Sequence, residues 1–556
     1  MKHQDQIKKT NLPQPFTFHP EKVAEANVRL MLRIWLAVFS IAAGLQLLLW
    51  PEEQTIICTL LDWCSCVATG LAILRHQITF RFPWSSLMIL MFCLQTCGLP
   101  LCLLLIQGNP LDQHLRVPVA TFAHLLLCQL VLIVTHVAYR RLPRLQNPGS
   151  GLRRHFLVPL GYFNKLSVWQ IMSLGLAGLM STFYLVSVTR LDQGGRLAVT
   201  GAVWERLING FSPFSFAPFL LFFPNQIIAG RARRWLKIIL LGYFFILFCV
   251  AAATNSRGFL FQGFAMVLVF AILSVFTGLI RLKVSSLIVL GALGLILLTF
   301  ASDLTLTLRL ARDNRESKTS QELIQDTVSL LTVDRESLAK AKAETKSGAD
   351  EVECWYVFNP TLSRLVNTHF EDRTLAMGLN FDDQTRSRVR TAEFEKFLGV
   401  LPDPLLKFFR INIDKELAMG SSMGDEMELW AGESGLIGGF SAGGFIGDGY
   451  AAFGWWYLAI YGFAALILFI VADSLYQWRV PRKTTDSETN SMFPTVGFMY
   501  GYTIVTLLTG ESVGALFGFS LRQPLQWLFL FGLFLIGFKA VSLISSPRTT
   551  LQPRPI

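Results

Sequence analysis

The sequence has little charge. Only 16% of its 556 residues are Asp, Glu, Lys or Arg, whereas 52% are hydrophobic. A soluble globular domain carries about 25% charged residues, so this composition excludes an ordinary soluble protein. The mean hydropathy is +0.46, and the charge is confined to gaps between apolar runs of about the 20 residues that cross a bilayer. The sequence therefore predicts an all-α polytopic membrane protein.

Signals for disulfides, zinc and secretion are also missing. There is no CxxC pair, and eight of the nine cysteines lie in or beside apolar runs. Only Cys354 falls in the one long polar segment, so no disulfide can form within that segment. A long polar stretch precedes the first apolar run, so we expect no cleaved signal peptide.

The formal charge of +11 does not indicate a nucleic-acid partner. Lys and Arg are concentrated in alternate short loops, after the second, fourth, sixth, eighth and tenth apolar runs, and in the two tails. Cytoplasmic loops carry such an excess of basic residues. This pattern predicts that both termini are cytoplasmic and that the odd-numbered loops are external.

We predict about twelve spans, each near the roughly 20 residues that a helix needs to cross the hydrocarbon core. The predicted spans are 28–50, 54–75, 84–106, 116–138, 166–188, 212–229, 233–253, 259–280, 284–302, 453–474, 492–510 and 524–542.

The spans divide the chain into five parts. These are a cytoplasmic tail (1–27), spans one to nine (28–302), a large external loop (303–449), spans ten to twelve (450–543) and a second tail (544–556). The external loop is water-facing in this prediction, and its acidic residues outnumber its basic ones. Within it, 391–401 is amphipathic, and it either lies along the membrane surface or packs on the rest of the loop.

Arg257 is the first candidate for a functional side chain. It stands in the sequence TNSRGF between two apolar runs, on the predicted external side. A charge within the membrane is expensive and is usually paired or functional. The alternative is an interfacial arginine whose side chain extends to the lipid headgroups.

Three further arginines follow the ninth span. Arg309, Arg312 and Arg315 are spaced by three, which places them roughly along one face if the helix continues. Guanidinium groups bind phosphate oxygens in pairs, so the cluster suits a lipid diphosphate at the membrane surface. Binding of ordinary phospholipid headgroups is the competing interpretation.

The other candidates lie later in the external loop. Glu433 and Asp448 flank the glycine-rich run GLIGGFSAGGFIGDGY, where a carboxylate could act as a general base. The run lacks the Lys-Ser/Thr of a phosphate-binding loop, and its glycines are expected to permit a tight re-entry into the bilayer. The remaining candidates, as substrate-binding residues, are Arg364, His369, Arg373, Arg410 and Tyr450.

Two short motifs carry a resemblance to a known family. NSRG (255–258) opens a span, and FIGDGYAAFGWW (445–456) enters the next span after the large external loop. In these features the chain resembles the Wzy-type O-antigen and exopolysaccharide repeat-unit polymerases, and more distantly the O-antigen ligases. The family's functional arginines match Arg257, and less closely Arg309 or Arg312. The His-x-x-x-Tyr type of motif found in ligases is not evident before the re-entry.

The resemblance implies a GT-C-like helical fold in the bacterial inner membrane. It implies transfer of a glycan from undecaprenyl diphosphate to a hydroxyl of another lipid-linked repeat unit at the periplasmic face. Membrane lipids, a chain-length regulator and a flippase of the same pathway would be its partners. No cofactor is expected, and the absence of an Asp-x-Asp or a His/Cys cluster favours metal-independent transfer.

Two other functions remain open. An O-antigen ligase or a protein O-oligosaccharyltransferase would share the donor but use another acceptor. A transporter of lipid-linked glycans is the third possibility, although transporters tend to have halves of repeated topology, and none is recognisable here.

Overall fold

The protein is described here by a computed structural model. The described residues are 20–188, 207–208, 210–223, 236–253, 257–285, 307, 329, 356–357, 360–363, 365–401, 403–415, 418, 420–433, 442–478, 491–493, 497, 499–510 and 512–545.

The described chain is helical apart from one pair of two-residue antiparallel strands, Gln477–Trp478 and Ser491–Met492. The helices of the first half are α1 (Pro20–Leu49), α2 (Glu53–Ile73), α3 (His76–Arg81), α4 (Pro83–Cys93), α5 (Leu99–Gln107), α6 (Pro118–Arg141), α7 (Pro143–Leu152), α8 (Val168–Val188), α9 (Leu236–Ala253) and α10 (Arg257–Phe276). The helices of the second half are α11 (Pro360–Ser363), α12 (Thr368–Asn380), α13 (Asp383–Gly399), α14 (Asp403–Phe408), α15 (Met423–Trp430), α16 (Phe445–Phe453), α17 (Tyr457–Ser474), α18 (Gly501–Thr506) and α19 (Val513–Ser545).

Six helical stretches among the described residues are long and apolar enough to cross a membrane. They are Pro20–Leu49, Glu53–Ile73, Pro83–Gln107, Pro118–Arg141, Phe445–Ser474 and Val513–Val541. Large apolar side chains on them remain exposed in the isolated protein, such as Leu48 at 75% and Phe463 at 60%. Helix length and composition therefore make this a multi-pass membrane protein.

The predicted spans agree with these helices in some places and not in others. The first four coincide with α1, α2, α4–α5 and α6. At 212–229 the chain forms an 11-residue 3-10 helix, Ser212–Phe222, which contains Pro213 and Pro218; proline removes backbone donors that a longer α-helix needs. At 492–510 the described helix is the six-residue α18, and 284–302 lies almost entirely outside the described residues.

A π-helical stretch joins α4 to α5, and its carbonyl groups accept hydrogen bonds from the polar segment that follows α10. Residues Leu94–Gly98 form this stretch, and such bulges redirect backbone groups away from the regular ladder. The carbonyl oxygen of Gln95 accepts the N–H of Asn367 at 3.0 Å. The carbonyl oxygen of Thr96 accepts the hydroxyl of Thr368 at 2.7 Å. The start of α12 is therefore held at the middle of the span formed by α4 and α5.

Within the segment 303–449, α12 is buried in the protein. Thr368 and Leu375 are fully buried, and Glu371 and Asp372 are nearly so. The helix packs against α6, α15 and α16. The amphipathic segment 391–401 falls at the end of α13, which packs on α15, α16 and α19. The segment therefore packs on the protein, and its placement along the membrane surface stays a prediction.

Buried carboxylates hold α12 and α13 against the starts of three other helices. Asp372 accepts the N–H groups of Arg116 and Val117 and the hydroxyl of Thr121 at the start of α6. Glu371 accepts the N–H of Ile446 at the start of α16 at 2.8 Å.

Glu393 makes the equivalent contact at α19. It accepts the N–H groups of Val513 and Gly514 at 3.2 and 2.6 Å. Because the first turn of a helix leaves N–H groups without intrahelical partners, these carboxylates replace water there. We call the side of the protein where α6, α16 and α19 begin the capped end.

Two glycines of the glycine-rich run allow α16 to approach α12. A Cβ at Gly447 would lie 2.2 Å from the carbonyl carbon of Thr374, and a Cβ at Gly444 would lie 2.5 Å from the Thr374 hydroxyl oxygen. Both distances are too short for any side chain. These glycines therefore serve close helix packing, and residues 435–441 of the run lie outside the described residues.

Glu371 should make the stability of the protein depend on pH. Burial raises its pKa from 4.5 to about 8. The folded protein then keeps a proton that the unfolded chain releases, so the stability contribution is complete below pH 4.5 and is lost as the pH rises through about 8. Glu371→Gln removes this titration and should unfold at a higher temperature than wild type above pH 8. Thermal unfolding of both proteins across this range is the measurement, and parallel curves would contradict the assignment.

Candidate functional site

An open cleft of about 520 Å3 lies at the capped end. It is lined by the start of α6, the end of α12, the start of α13 and the end of α15. The side chains that line it are Arg116, Val117, Ala376, Met377, Asn380, Phe381, Asp382, Thr385, Trp430, Ala431 and Glu433. A volume of several hundred cubic ångströms is typical of small-molecule sites.

Local sequence signals position the walls of the cleft. Ser422 and Asp425 form a capping box at the start of α15, in which each side chain accepts the other residue's backbone N–H. This eight-residue helix ends at Trp430, and Gly432 follows with a φ of 74°. The chain therefore turns directly after Trp430 and places Glu433 on the rim. Asp382 caps α13 by accepting the N–H of Thr385 at 2.8 Å.

Two arginines and two glutamates form an ion-pair cluster on the rim. Arg373 contacts Glu428 at 2.8 Å and Glu433 at 3.1 Å, and Arg116 contacts the other oxygen of Glu433. The Glu428 side chain is only 6% exposed, whereas those of Arg116 and Glu433 are 38% and 28% exposed. The four formal charges cancel, so the cluster is neutral as a unit.

The cluster sets the acidity of Glu433. The hydrogen bond from Arg116 holds the pKa of Glu433 below its ordinary value, and a second bond from Arg373 acts in the same direction. A general base works best when its pKa lies near the working pH, and a carboxylate held in this way is a weaker base. In this arrangement Glu433 is better suited to accept a hydrogen bond from a bound hydroxyl than to remove its proton.

The lining of the cleft suits neutral hydroxylated molecules better than phosphates. Arg116 is the one cation among the lining residues, and it is accompanied by Asp382 and Glu433. The Asn380 amide and the Thr385 hydroxyl add donors and acceptors, and Trp430 adds a large amphipathic ring. Aromatic surface beside a few convergent polar groups can bind a sugar, since a sugar has apolar faces and hydroxyl edges.

Two of the candidates predicted from the sequence meet here, namely Glu433 and Arg373. Asp448 lies elsewhere, completely buried within α16, so it does not line the cleft. The His369 ring contacts the Phe370 ring at a tilt of 40°, with centroids 3.8 Å apart, and lies 6.0 Å from the Tyr356 ring.

Tyr450 and Arg410 lie away from the cleft lining. The Tyr450 ring packs edge-on against His124 at 5.2 Å and against Trp455 at 5.5 Å. His124 also hydrogen bonds to the hydroxyl of Tyr457 at 2.7 Å. Arg410 is exposed at the end of α14 with a φ of 57°.

The side chains of the remaining candidates are not among those described. Arg257 is the first residue of α10, but its side chain is not among those described. Arg309, Arg312, Arg315 and Arg364 lie outside the described residues. Their proposed roles therefore stay predictions.

A serine, a histidine and an aspartate also meet at the opposite end of the bundle. The Ser85 hydroxyl donates to Asp473 at 2.6 Å and lies 3.0 Å from Nε2 of His136. In a nucleophilic triad the histidine lies between the other two groups, whereas here the serine does. Ser85 and His136 are fully buried, and Asp473 also accepts the N–H of Ser85 near the start of α4. This arrangement joins α4, α6 and α17 and is structural.

The sequence analysis missed several polar residues that organise the structure. Arg116 and Trp430 lie beside apolar runs or within the predicted loop and have no distinctive motif. Asp62 could have been found, because it is a carboxylate within the apolar run of α2 and is completely buried beside the thiol of Cys97. A charge within a span is a functional candidate by default, so Asp62 meets the same criterion as Arg257.

Comparisons with known proteins give no further assignment. No family model matches the chain, and no curated protein and no solved structure matches it.

The ion pair between Arg373 and Glu428 should contribute to stability whether or not a substrate binds. Arg373→Met removes the arginine contact of the buried Glu428 carboxylate, whereas Arg373→Met with Glu428→Gln removes both charges. Coupled neighbours typically show interaction energies of about 0.5–3 kcal/mol, and we expect this pair to fall in that range. A double-mutant cycle of unfolding free energies measures it. Additive effects would show that the two residues do not stabilise each other.

Proposed function

We propose that this protein is a membrane glycosyltransferase that polymerises undecaprenyl-diphosphate-linked oligosaccharide repeat units at the periplasmic face of the bacterial inner membrane. The cleft at the capped end carries the proposal. It opens beside the start of α6 and presents Trp430, Asn380 and two carboxylates. A lipid-linked substrate needs its saccharide held next to membrane helices, and the cleft has the position and the chemistry to hold one.

In this proposal the cleft and the arginines bind different parts of the two substrates. The cleft binds the saccharide of the acceptor repeat unit, because its lining carries two carboxylates and one arginine. Arg257, Arg309 and Arg312 bind the donor diphosphate, where their charge stabilises the departing anion. The motif NSRG and the spacing of the later arginines support this second part.

The transfer needs no nucleotide, because the lipid diphosphate is itself the leaving group. The oxygen of an acceptor hydroxyl attacks the anomeric carbon of the donor glycan, and a new carbon–oxygen bond forms. The bond between that carbon and the diphosphate oxygen breaks, and the leaving group is undecaprenyl diphosphate. The hydroxyl proton passes to a base, either a carboxylate or the departing diphosphate. Glu433 orients the hydroxyl, since it is the carboxylate of the predicted pair that lines the cleft.

Arg257→Lys separates diphosphate binding from anchoring to headgroups. Lysine keeps the charge but loses the planar fork that binds two phosphate oxygens. Loss of a charge-directed contact to a transition state typically costs on the order of 3 kcal/mol, or roughly a hundredfold in rate. Both Arg257→Lys and Arg257→Ala should therefore fail to restore long glycan chains in a deletion strain. The measurement is the glycan banding pattern at matched protein levels in the membrane.

The controls decide between the alternatives. Arg388→Ala, which changes an exposed arginine on α13, should restore long chains as wild type does. The deletion strain itself should show acceptor capped with a single repeat, whereas an unmodified acceptor would indicate a ligase. Normal chains from Arg257→Lys would leave Arg257 as a membrane anchor.

A further inference from the structure

The turn that follows α14 exposes two neighbouring phenylalanines. Phe408 is 78% exposed and Phe409 is 60% exposed, and their ring centroids are 5.2 Å apart. The exposed cations Lys407 and Arg410 flank them. We call residues 406–411 the aromatic turn. Large apolar side chains that are displayed together on a surface usually mark a contact with another apolar phase.

Two backbone hydrogen bonds close the aromatic turn. The N–H of Ile411 bonds to the carbonyl of Leu406 at 2.9 Å, and the N–H of Arg410 bonds to the carbonyl of Lys407 at 3.1 Å. These two bonds form the Schellman motif at a helix end. The motif requires the residue before its last one, Ile411, to adopt the left-handed conformation. That residue is usually glycine, but here it is Arg410, with a φ of 57°.

The strained conformation at Arg410 suggests a use for its side chain. A non-glycine residue in the left-handed region is unfavourable, and such strain tends to persist at functional positions. Glycine would satisfy the turn without strain, but it would remove the cation beside the two phenylalanines. The turn therefore combines an exposed apolar pair with two positive charges, which is the composition of segments that bind membrane surfaces.

Contacts with α19 place the end of α13, which precedes the aromatic turn, beside an apolar span. Val400, at the end of α13, packs so closely on Gly518 that a Cβ there would lie 2.6 Å from the valine. The Phe397 and Phe517 rings also meet, with centroids 6.2 Å apart. Gly518 is five residues into the apolar span that begins at Val513, which is about 8 Å along a helix.

Two further contacts keep the turn near the end of α13. Lys415 donates to the carbonyl of Leu401 at 2.5 Å, and Lys396 donates to the carbonyl of Ala418 at 3.0 Å. The chain on both sides of the aromatic turn is thereby tied to the end of α13. Phe394, on the same helix, is 52% exposed and packs against Phe453, beside the exposed Trp455 and Trp456. Tryptophans are enriched at the boundary between membrane and water.

We infer that the aromatic turn anchors the polar segment between α10 and α16 to the membrane, in addition to the contacts of α13 with α19. Phe408 and Phe409 insert into the leaflet at the capped end, and Lys407 and Arg410 bind the phosphates of anionic lipids. Charge complementarity and the contact of α13 with a membrane-spanning helix single out the lipid surface as the occupant. This inference does not depend on the proposed function.

Fluorine NMR on the full-length protein in lipid nanodiscs tests the insertion. Fluorophenylalanine is introduced at Phe408, at Phe463 as the lipid-facing control, and at Leu429 as the control on α15, where the side chain is 46% exposed. A nitroxide on the lipid acyl chain should broaden the signals at Phe408 and Phe463 but not at Leu429. A water-soluble paramagnetic reagent should affect Leu429 alone. If the Phe408 signal responds to both reagents as the Leu429 signal does, the inference is overturned.

Arg410→Gly tests the role of the cation without disrupting the turn, because glycine adopts the left-handed conformation freely. The probe at Phe408 is compared in phosphatidylcholine nanodiscs with and without phosphatidylglycerol. Wild type should insert more deeply when the anionic lipid is present, and Arg410→Gly should lose most of that difference. An unchanged signal at Phe463 confirms that the variant is folded. Equal insertion of wild type in both lipids would refute headgroup binding.

Discussion

The arrangement of this protein depends on how the starts of its helices are satisfied. Each helix begins with N–H groups that have no partner in the helix, and at a protein interior or a membrane boundary water cannot always supply one. At the capped end, Asp372, Glu371 and Glu393 supply the acceptors for α6, α16 and α19. All three come from α12 and α13. The same bonds that complete the helices therefore fasten the polar segment to the membrane domain.

This constraint explains where the cleft forms. Asp372 binds the backbone of Arg116, whose side chain reaches Glu433 on the rim. Glu371 is the neighbouring residue and holds α16 on the other side of α12. Asp372 thus connects α12 to the start of α6, and both elements line the cleft. Such a site is preorganised, which reduces the ordering that binding must otherwise impose.

The length of the apolar runs was sufficient to predict part of the fold. It predicted α1, α2, α6 and the α4–α5 span, because each must present enough apolar residues to cross the bilayer. It failed where proline or a tertiary contact decides the outcome. Pro213 and Pro218 fall within a run whose composition resembles a span, and the result is a 3-10 helix.

The burial of α12 was harder to foresee. Its sequence, THFEDRTLAMGLN, has the polarity of a solvated helix, and only the positions of its partners reveal that Glu371 and Asp372 accept backbone N–H groups. The site shows the same limit. Glu433 could be singled out from its place beside the glycine-rich run, whereas Arg116 and Trp430 become recognisable only when three separate helices are brought together. Arg373 was predicted to bind substrate, yet its nearest partners are Glu428 and Glu433.

Reconstitution of the purified protein tests the proposed function most directly. The full chain in nanodiscs is supplied with an undecaprenyl-diphosphate-linked repeat unit as its only substrate, in the presence of excess chelator. The proposal predicts a ladder of glycans that differ by one repeat, with release of undecaprenyl diphosphate. A protein that leaves the repeat unit unchanged, or that forms the ladder only when a divalent ion is restored, would contradict it.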